Sequence, residues 1–359
     1  MKILVLPQED ANPYQRLLYS EMRQLGVRAE YLGRLTPSHT LNLALLPAEL
    51  VYRRLAGWQV VHLHWVFGFA LTGSGRIRAQ RRLSQVWFAV ILHCIRMLGV
   101  RLVWTAHNVL PHTAVFADDV AARRRLVASC DLVIAHSEAA LAELDGIAAT
   151  PRRAAVIPHG PFVPSRPGAS LRVPGQDGVR EILLFGKIQA YKGAETLVRA
   201  FLARPAWVRA RLTIAGECPD PCIRSVLTEL ARSGGDDISL RLERVPDREV
   251  TSLLEAADVV ALPFERVTTS GSAMLAMCHG RPLIVPDLPA LGSLPGNAVF
   301  RYDRSIPGLT AALAQAASVD ADVLAKMSSA ALAYAGRHNW ADIAAETRDQ
   351  IAGVLTRCD

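Results

Sequence analysis

No stretch of this chain is apolar for long enough to cross a bilayer. The longest apolar run, Val86 to Leu98, is broken by His93 and Arg96 and falls short of the roughly 20 residues a spanning helix needs. A secretory leader is also missing: Met1-Lys2 leads straight into an apolar strand, Ile3 to Leu6, with no small-residue cleavage site after it, so a cytoplasmic protein is expected. Six cysteines are scattered over 359 residues and only Cys218 and Cys222 lie close together. Without a histidine at ligand spacing they read as reduced thiols, and no metal site is expected. The glycine motifs of cofactor enzymes are absent too. Asn12 and Pro13 occupy the turn where a dinucleotide fold has glycines, and the GxxxxGK[ST] spacing of a P-loop is not found, which argues against a nicotinamide, flavin or other bound cofactor.

What is present is a globular composition, 51% hydrophobic and 20% charged, on a chain long enough for two domains. The formal charge of +7 is unevenly spread, with 18 Lys/Arg against 11 Asp/Glu up to Ser165 and 22 of each beyond it. The first half therefore calls for an anionic partner. In the absence of a helix-turn-helix, zinc-finger or RNA-binding signature, nucleic acid is not expected. Basic residues mixed with Trp and Phe fit an anionic membrane surface better, with the protein peripheral on the inner face of the cytoplasmic membrane.

Apolar runs and turn residues alternate along the chain. Ile3 to Leu6 reads as a strand, Pro7 to Pro13 as a loop holding Asp10 and Asn12, Tyr14 to Leu25 as a helix stopped by Gly26, and Ala29 to Leu32 as a second strand. On the strand Val60 to Trp65, His62 and His64 share a face. Gly73 to Gly75 is a turn, and Arg76 to Leu98 a long helix. Its first half carries Arg76, Arg78, Arg81 and Arg82, a basic end that suits solvent or lipid, and its second half carries Trp87, Phe88, Ile91 and Ile95. Arg101 to Thr105 is a strand ending in AHNVLPH, so His107 and His112 fall in a loop at a carboxyl strand end, where α/β folds place ligands. A histidine there can donate to a phosphate, take a proton from a hydroxyl, or simply hold the turn. Asp131 to Ala135 is a further strand, and Ser165 to Gly178 reads as a linker.

The second half restarts the pattern. After the strand Glu181 to Phe185 comes Gly186-Lys187-Ile188-Gln189-Ala190-Tyr191-Lys192-Gly193, two lysines in a glycine-bounded loop suited to a diphosphate. Further on, Val259 to Pro263 is a buried strand opening into a polar turn that ends in Thr269 and Ser270, and Ser270-Gly271-Ser272 starts a helix over Ala273 to Cys278. Its free N–H groups would meet an anion. The alternation predicts an α/β protein of two Rossmann-like, doubly wound domains facing across a cleft.

Taken together, FGKIQAYKG, LTIAGE, ADVVALPF, SGSAMLAMCHGRPLIVPD and the late HNWADIAAET resemble the nucleotide-sugar glycosyltransferases of the GT-B fold. NPYQRLLY, VVHLHW, TAHNVLPH and the SGS turn are most similar to bacterial exopolysaccharide glycosyltransferases. The resemblance implies an acceptor domain over residues 1–165 and a donor domain over 166–359, the last helix packing back on the first domain. Lys187 stands where the family has a phosphate-binding arginine, Lys192 matches its donor-phosphate lysine, Ser270 to Ser272 match its diphosphate-holding helix end, and His107 matches the histidine beside the transferred sugar. Where retaining relatives carry two glutamates this chain has Val267 and Leu275, which points to inversion with a base on the acceptor side. The strand-end loops offer His107 and His112, with Glu9, Asp10, Asp118 and Asp119 as carboxylate competitors; His107 is the first choice and Asp10 the second. The expected activity is metal-independent glycosyl transfer from a nucleoside-diphosphate sugar to a lipid-linked saccharide. A sugar-nucleotide 2-epimerase and a silent nucleotide-sugar-binding protein are the alternatives.

Overall fold

The computed structural model describes residues 1–10, 12–70, 78–111, 114–147, 149–162 and 178–356. They form two compact units: Met1–Gly160 together with Trp340–Asp359, and Pro161–Asn339. The linker read at Ser165 to Gly178 lies outside the described residues except for Gly178, as does the turn Gly73 to Gly75.

The first unit runs β1 (Lys2–Leu6), α1 (Tyr14–Gln24), β2 (Arg28–Tyr31), α2 (His39–Leu55), β3 (Val60–Leu63), α3 (Arg78–Met97), β4 (Arg101–Ala106), α4 (Asp119–Ser129), β5 (Leu132–Ala135), α5 (Glu138–Gly146) and β6 (Ala154–Val156). Its six strands are all parallel in the order β2-β1-β3-β4-β5-β6. The central ones are buried on both faces, which is why they read as unbroken apolar runs. Helix α1 buries Tyr14, Leu18, Tyr19 and Met22 along one stripe. Helix α2 lies in a stretch that the sequence reading leaves unassigned; it contains Pro47 and persists because Leu43, Leu46 and Leu50 are buried on the inner side. Helix α3 buries Phe88, Ile91, Leu92 and Ile95, and none of its described residues is acidic.

The second unit runs β7 (Arg180–Phe185), α6 (Ala194–Leu202), β8 (Ala210–Ala215), α7 (Pro221–Ser233), β9 (Ile238–Arg241), α8 (Asp247–Ala256), β10 (Val259–Ala261), α9 (Gly271–Cys278), β11 (Leu283–Pro286), β12 (Val299–Tyr302), α10 (Ile306–Ser318) and α11 (Ala321–Gly336). Its parallel sheet has the order β12-β11-β10-β7-β8-β9, with one apolar cluster on each face. The last helix, α12 (Trp340–Leu355), packs on α1 in the first unit.

In each sheet the strand order reverses once, between β1 and β3 in the first unit and between β7 and β10 in the second. Parallel strands bring their carboxyl ends to one edge, and a ligand crevice opens where the connections diverge. Among the described residues no helix is long and apolar enough to cross a membrane.

Candidate functional site

In the second unit, the loops that leave β7 and β10 meet at the reversal. Gly193 closes the β7 loop at φ +67°, and a Cβ built there would lie 2.0 Å from the carbonyl oxygen of Pro263, so only glycine lets the two backbones approach. At Gly186, φ +96°, a Cβ would come within 3.5 Å of Ser272 Oγ and 3.6 Å of Lys192 Nζ, so these three residues converge. Lys192 is buried. Its ammonium donates to Ser272 Oγ at 3.1 Å and lies 5.0 Å from the centre of the Phe264 ring. Among the described residues no carboxylate pairs with it, and burial pushes its pKa down to about 8.

Ser270 caps α9, its Oγ accepting from the Ala273 N–H at 3.0 Å, while the first-turn N–H groups of Gly271 and Ser272 have no acceptor one turn back. The adjoining Thr269 hydroxyl is buried without a hydrogen-bond partner. A buried cation lacking a counter-charge, open N–H groups, an unmatched hydroxyl and the positive end of a helix together suit a diphosphate. Lys187, though next to Gly186, is exposed, with its ammonium 3.9 Å from the Glu217 carboxylate. Val267 and Leu275 are partly buried against the apolar cluster and bring no carboxylate to this place.

In the first unit, the carboxyl ends of four neighbouring strands each present a histidine: His64 after β3, His107 after β4, His136 after β5 and His159 beyond β6. The first three of these, with His62 on β3, belong to one hydrogen-bonded chain whose polarity is fixed at its end. His136 Nδ1 lies 2.9 Å from the Ile157 carbonyl, which can only accept, so Nδ1 carries the proton and Nε2 accepts. His107 must then donate from Nδ1 to His136 Nε2 at 3.2 Å, and His64 from Nδ1 to His107 Nε2 at 3.1 Å. Tyr19 donates its hydroxyl to His64 Nε2 at 3.0 Å and accepts from His62 Nδ1 at 2.8 Å, and the Thr105 hydroxyl donates to His62 Nε2 at 2.8 Å. All four rings are thereby neutral Nδ1–H tautomers, in accord with burial, which pushes His62 down to about 3, His136 to about 4, and His64 and His107 well below the ordinary value. Trp65 stacks on His107 at 4.4 Å, and Tyr14 sets its edge to the same ring at 4.6 Å. Trp340, at the start of α12, closes on Tyr14 at 5.1 Å and on Gly160, where a Cβ would lie 2.6 Å from the indole.

The other residues singled out in the sequence fall in several places. Asp10 is exposed at the rim of a cavity of about 250 Å³ beside the carboxyl ends of β1 and β2, lined also by Gln8, Arg34 and His39. Gln8 donates to Asp10 Oδ1 at 2.5 Å and accepts from Arg34. Asn12 is engaged locally, its Oδ1 accepting from the Tyr14 N–H at 3.0 Å. Asp118 caps α4 by accepting from Ala121, and Asp119 accepts from the N–H groups of Val115 and Phe116, so both carboxylates hold the helix start. His112 lies outside the described residues. Arg78 and Arg82 are exposed and Arg81 half-buried on the first turns of α3, along which Leu83, Val86, Val90 and, at its end, Met97 are exposed apolar side chains.

The sequence reading marks His107 and His112 and sets His62 and His64 on one face, but it does not connect His107 to His64, His136 and Tyr19. Their common signal was a histidine just past consecutive strands, in HLHW, TAHN, IAHS and IPHG.

Residues 179–318 match the family described as Glycosyl transferases group 1. Over 247 residues, 65% of this chain, the sequence is 27% identical to the GDP-mannose:glycolipid 4-beta-D-mannosyltransferase of Xanthomonas campestris pv. campestris, of whose length it spans 62%, less than two thirds. Among solved structures, sucrose-phosphate synthase from Thermosynechococcus elongatus is similar with a TM-score of 0.75 at 16% identity, covering 99% of this chain and 98% of that one. HepE from Anabaena, solved in complex with UDP and glucose, is similar with a TM-score of 0.69 at 17% identity, covering 98% of this chain and 100% of that one. The two α/β units thus share the GT-B fold of these proteins.

Proposed function

With the glycosyltransferase group 1 domain at residues 179–318 as premise, we propose that the protein transfers a sugar from a nucleoside-diphosphate sugar, GDP-mannose or a UDP-sugar, to a hydroxyl of a lipid-linked saccharide in exopolysaccharide or cell-surface glycan synthesis. The observation that carries this reading is Lys192, a buried ammonium without a carboxylate partner among the described residues, bonded to Ser272 at the start of α9. A departing diphosphate supplies the missing negative charge. As the bond from the anomeric carbon to the diphosphate oxygen breaks, its electron pair leaves with the phosphate, and Lys192, the Thr269 hydroxyl and the N–H groups of Gly271 and Ser272 stabilise it without a metal. A relative named for transfer from GDP-mannose to a glycolipid and a similar structure solved with UDP support the donor class and suggest a lipid-borne acceptor.

The acceptor hydroxyl attacks from the opposite side, with inversion, and its proton passes to a base in the first unit. Asp10 is our assignment, because its second oxygen is unengaged among the described residues and it borders a polar cavity. His107, with both ring nitrogens bonded to other histidines, is a fixed neutral ring and not the base. The exposed apolar side chains of α3 and its arginines seat the protein on an anionic membrane where such an acceptor resides. Incubation with a panel of nucleotide sugars, with and without membrane lipid, tests the reading through release of nucleoside diphosphate. No release with any donor in the presence of lipid would refute it.

A further inference from the structure

A cavity of about 560 Å³ in the first unit lies at the other edge of the sheet, among the amino ends of β4, β5 and β6. Arg96, Arg101, Arg152 and Arg153 line it, with Asp131 as the only carboxylate among its lining residues. Asp131 is fully engaged, one oxygen taking Arg101 at 3.0 Å and the other the Leu102 N–H at 2.7 Å. Arg153 donates to Gln350 at 3.2 Å and packs against Gly353, where a Cβ would lie 2.9 Å from its guanidinium, so the glycine in α12 makes room for the charge. Arg96 and Arg152 are exposed and tied to no carboxylate among the described residues.

Neutralisation of helix ends does not account for this cluster. The C-terminal turns of α3, α4 and α12 border the cavity, and each carries about half a negative charge. With Arg101 matched by Asp131, the other three guanidinium groups against three such ends leave more than one positive charge uncompensated among the described residues. A cavity of a few hundred Å³ with converging guanidinium forks fits a phosphate-bearing molecule, since Arg and phosphate pair in a bidentate way.

We propose that this cavity is a second anion site, distinct from the Lys192 site, that takes a phosphate or diphosphate monoester group, carried by a lipid headgroup or by a soluble metabolite. Calorimetric titration of the full chain with inorganic tripolyphosphate, at two ionic strengths, tests it. Arg96→Gln and Arg152→Gln should each weaken one binding event by about tenfold, the value of roughly one charge-assisted hydrogen bond, and Lys192→Ala should leave that event in place. Both arginines are exposed, and thermal melting checks that the variants are folded. Tripolyphosphate binding that is equal in the wild type and in both variants overturns the proposal. Sedimentation with phosphatidylcholine vesicles, with and without phosphatidic acid, identifies the source. Loss of vesicle binding in Arg152→Gln together with competition by tripolyphosphate assigns a lipid headgroup; unchanged vesicle binding in a variant that has lost tripolyphosphate assigns a soluble ligand.

Discussion

Nδ1 of His107 and Nε2 of His136 lie 3.2 Å apart, and the Ile157 carbonyl on the far side of His136 decides that the proton between them belongs to His107. One backbone acceptor thereby settles the tautomer of four imidazoles and the direction of two hydroxyls.

That arrangement makes folding sensitive to acid. The folded rings resist protonation until about pH 4 for His136 and about 3 for His62, whereas the unfolded chain takes up the same protons near 6.5. Between these values the unfolded state binds more protons, so stability falls as pH drops, by about 1.4 kcal/mol per pH unit for each histidine. Denaturant unfolding followed from pH 7 to 4 should show this slope, and His136→Phe should reduce it. A flat profile over that range would contradict neutral, chained rings.

For the Lys192 ammonium the dependence runs the other way. Its proton is lost in the free protein as pH rises through about 8, and a bound diphosphate favours the charged form. Nucleotide affinity should therefore be full below about pH 8 and decline above it. Lys192→Ala should weaken nucleotide binding by about 1.5–3 kcal/mol and abolish this decline. Calorimetry that finds wild-type affinity in the variant would remove Lys192 from the donor site.

The chemistry separates Asp10 from His107. Asp10→Asn should lower turnover by about 10²-fold or more with nucleotide affinity unchanged, the range for loss of a general base. His107→Ala opens a gap in the chain and should lower both turnover and thermal stability. Proton NMR of the product's anomeric coupling checks inversion, and a retained configuration would rule out the base mechanism whatever the variants do.

The proposed membrane attachment rests on α3. Reversal of Arg78, Arg81 and Arg82 to glutamate should release the protein from anionic vesicles, and salt should do the same to the wild type. Sedimentation of the triple variant at the wild-type level would leave α3 as a solvated cover.

Local chemistry explains which parts were legible in the sequence. The strand Val259–Ala261, the Ser270 cap and the helix Gly271–Cys278 follow one another within twenty residues, so apolar run, cap and helix former could be read directly. Lys192 and Ser272 are eighty residues apart, yet each ends a strand-to-helix loop, and the strand order brings such loops together. Helix α2 lies in a stretch left unassigned, and its internal Pro47, unfavourable by local propensity, is held by leucines buried beneath it that only the fold reveals. The histidine chain was hidden for another reason. His62 and Thr105 are separated by 43 residues, as are His64 and His107, and only the parallel pairing of β3 with β4 sets them side by side. Strand ends were visible in the sequence, but which ends are neighbours was not.

Trp340 and the helix it begins give the first unit an unusual order of assembly. That unit is made of two chain segments with the whole second unit between them. A ribosome delivers residues 161–339 as a continuous folding unit before it delivers the indole that covers Tyr14 and Gly160. The half synthesised first is thus the half completed last, and until α12 emerges its tyrosine and histidine surface is open to whatever holds nascent chains.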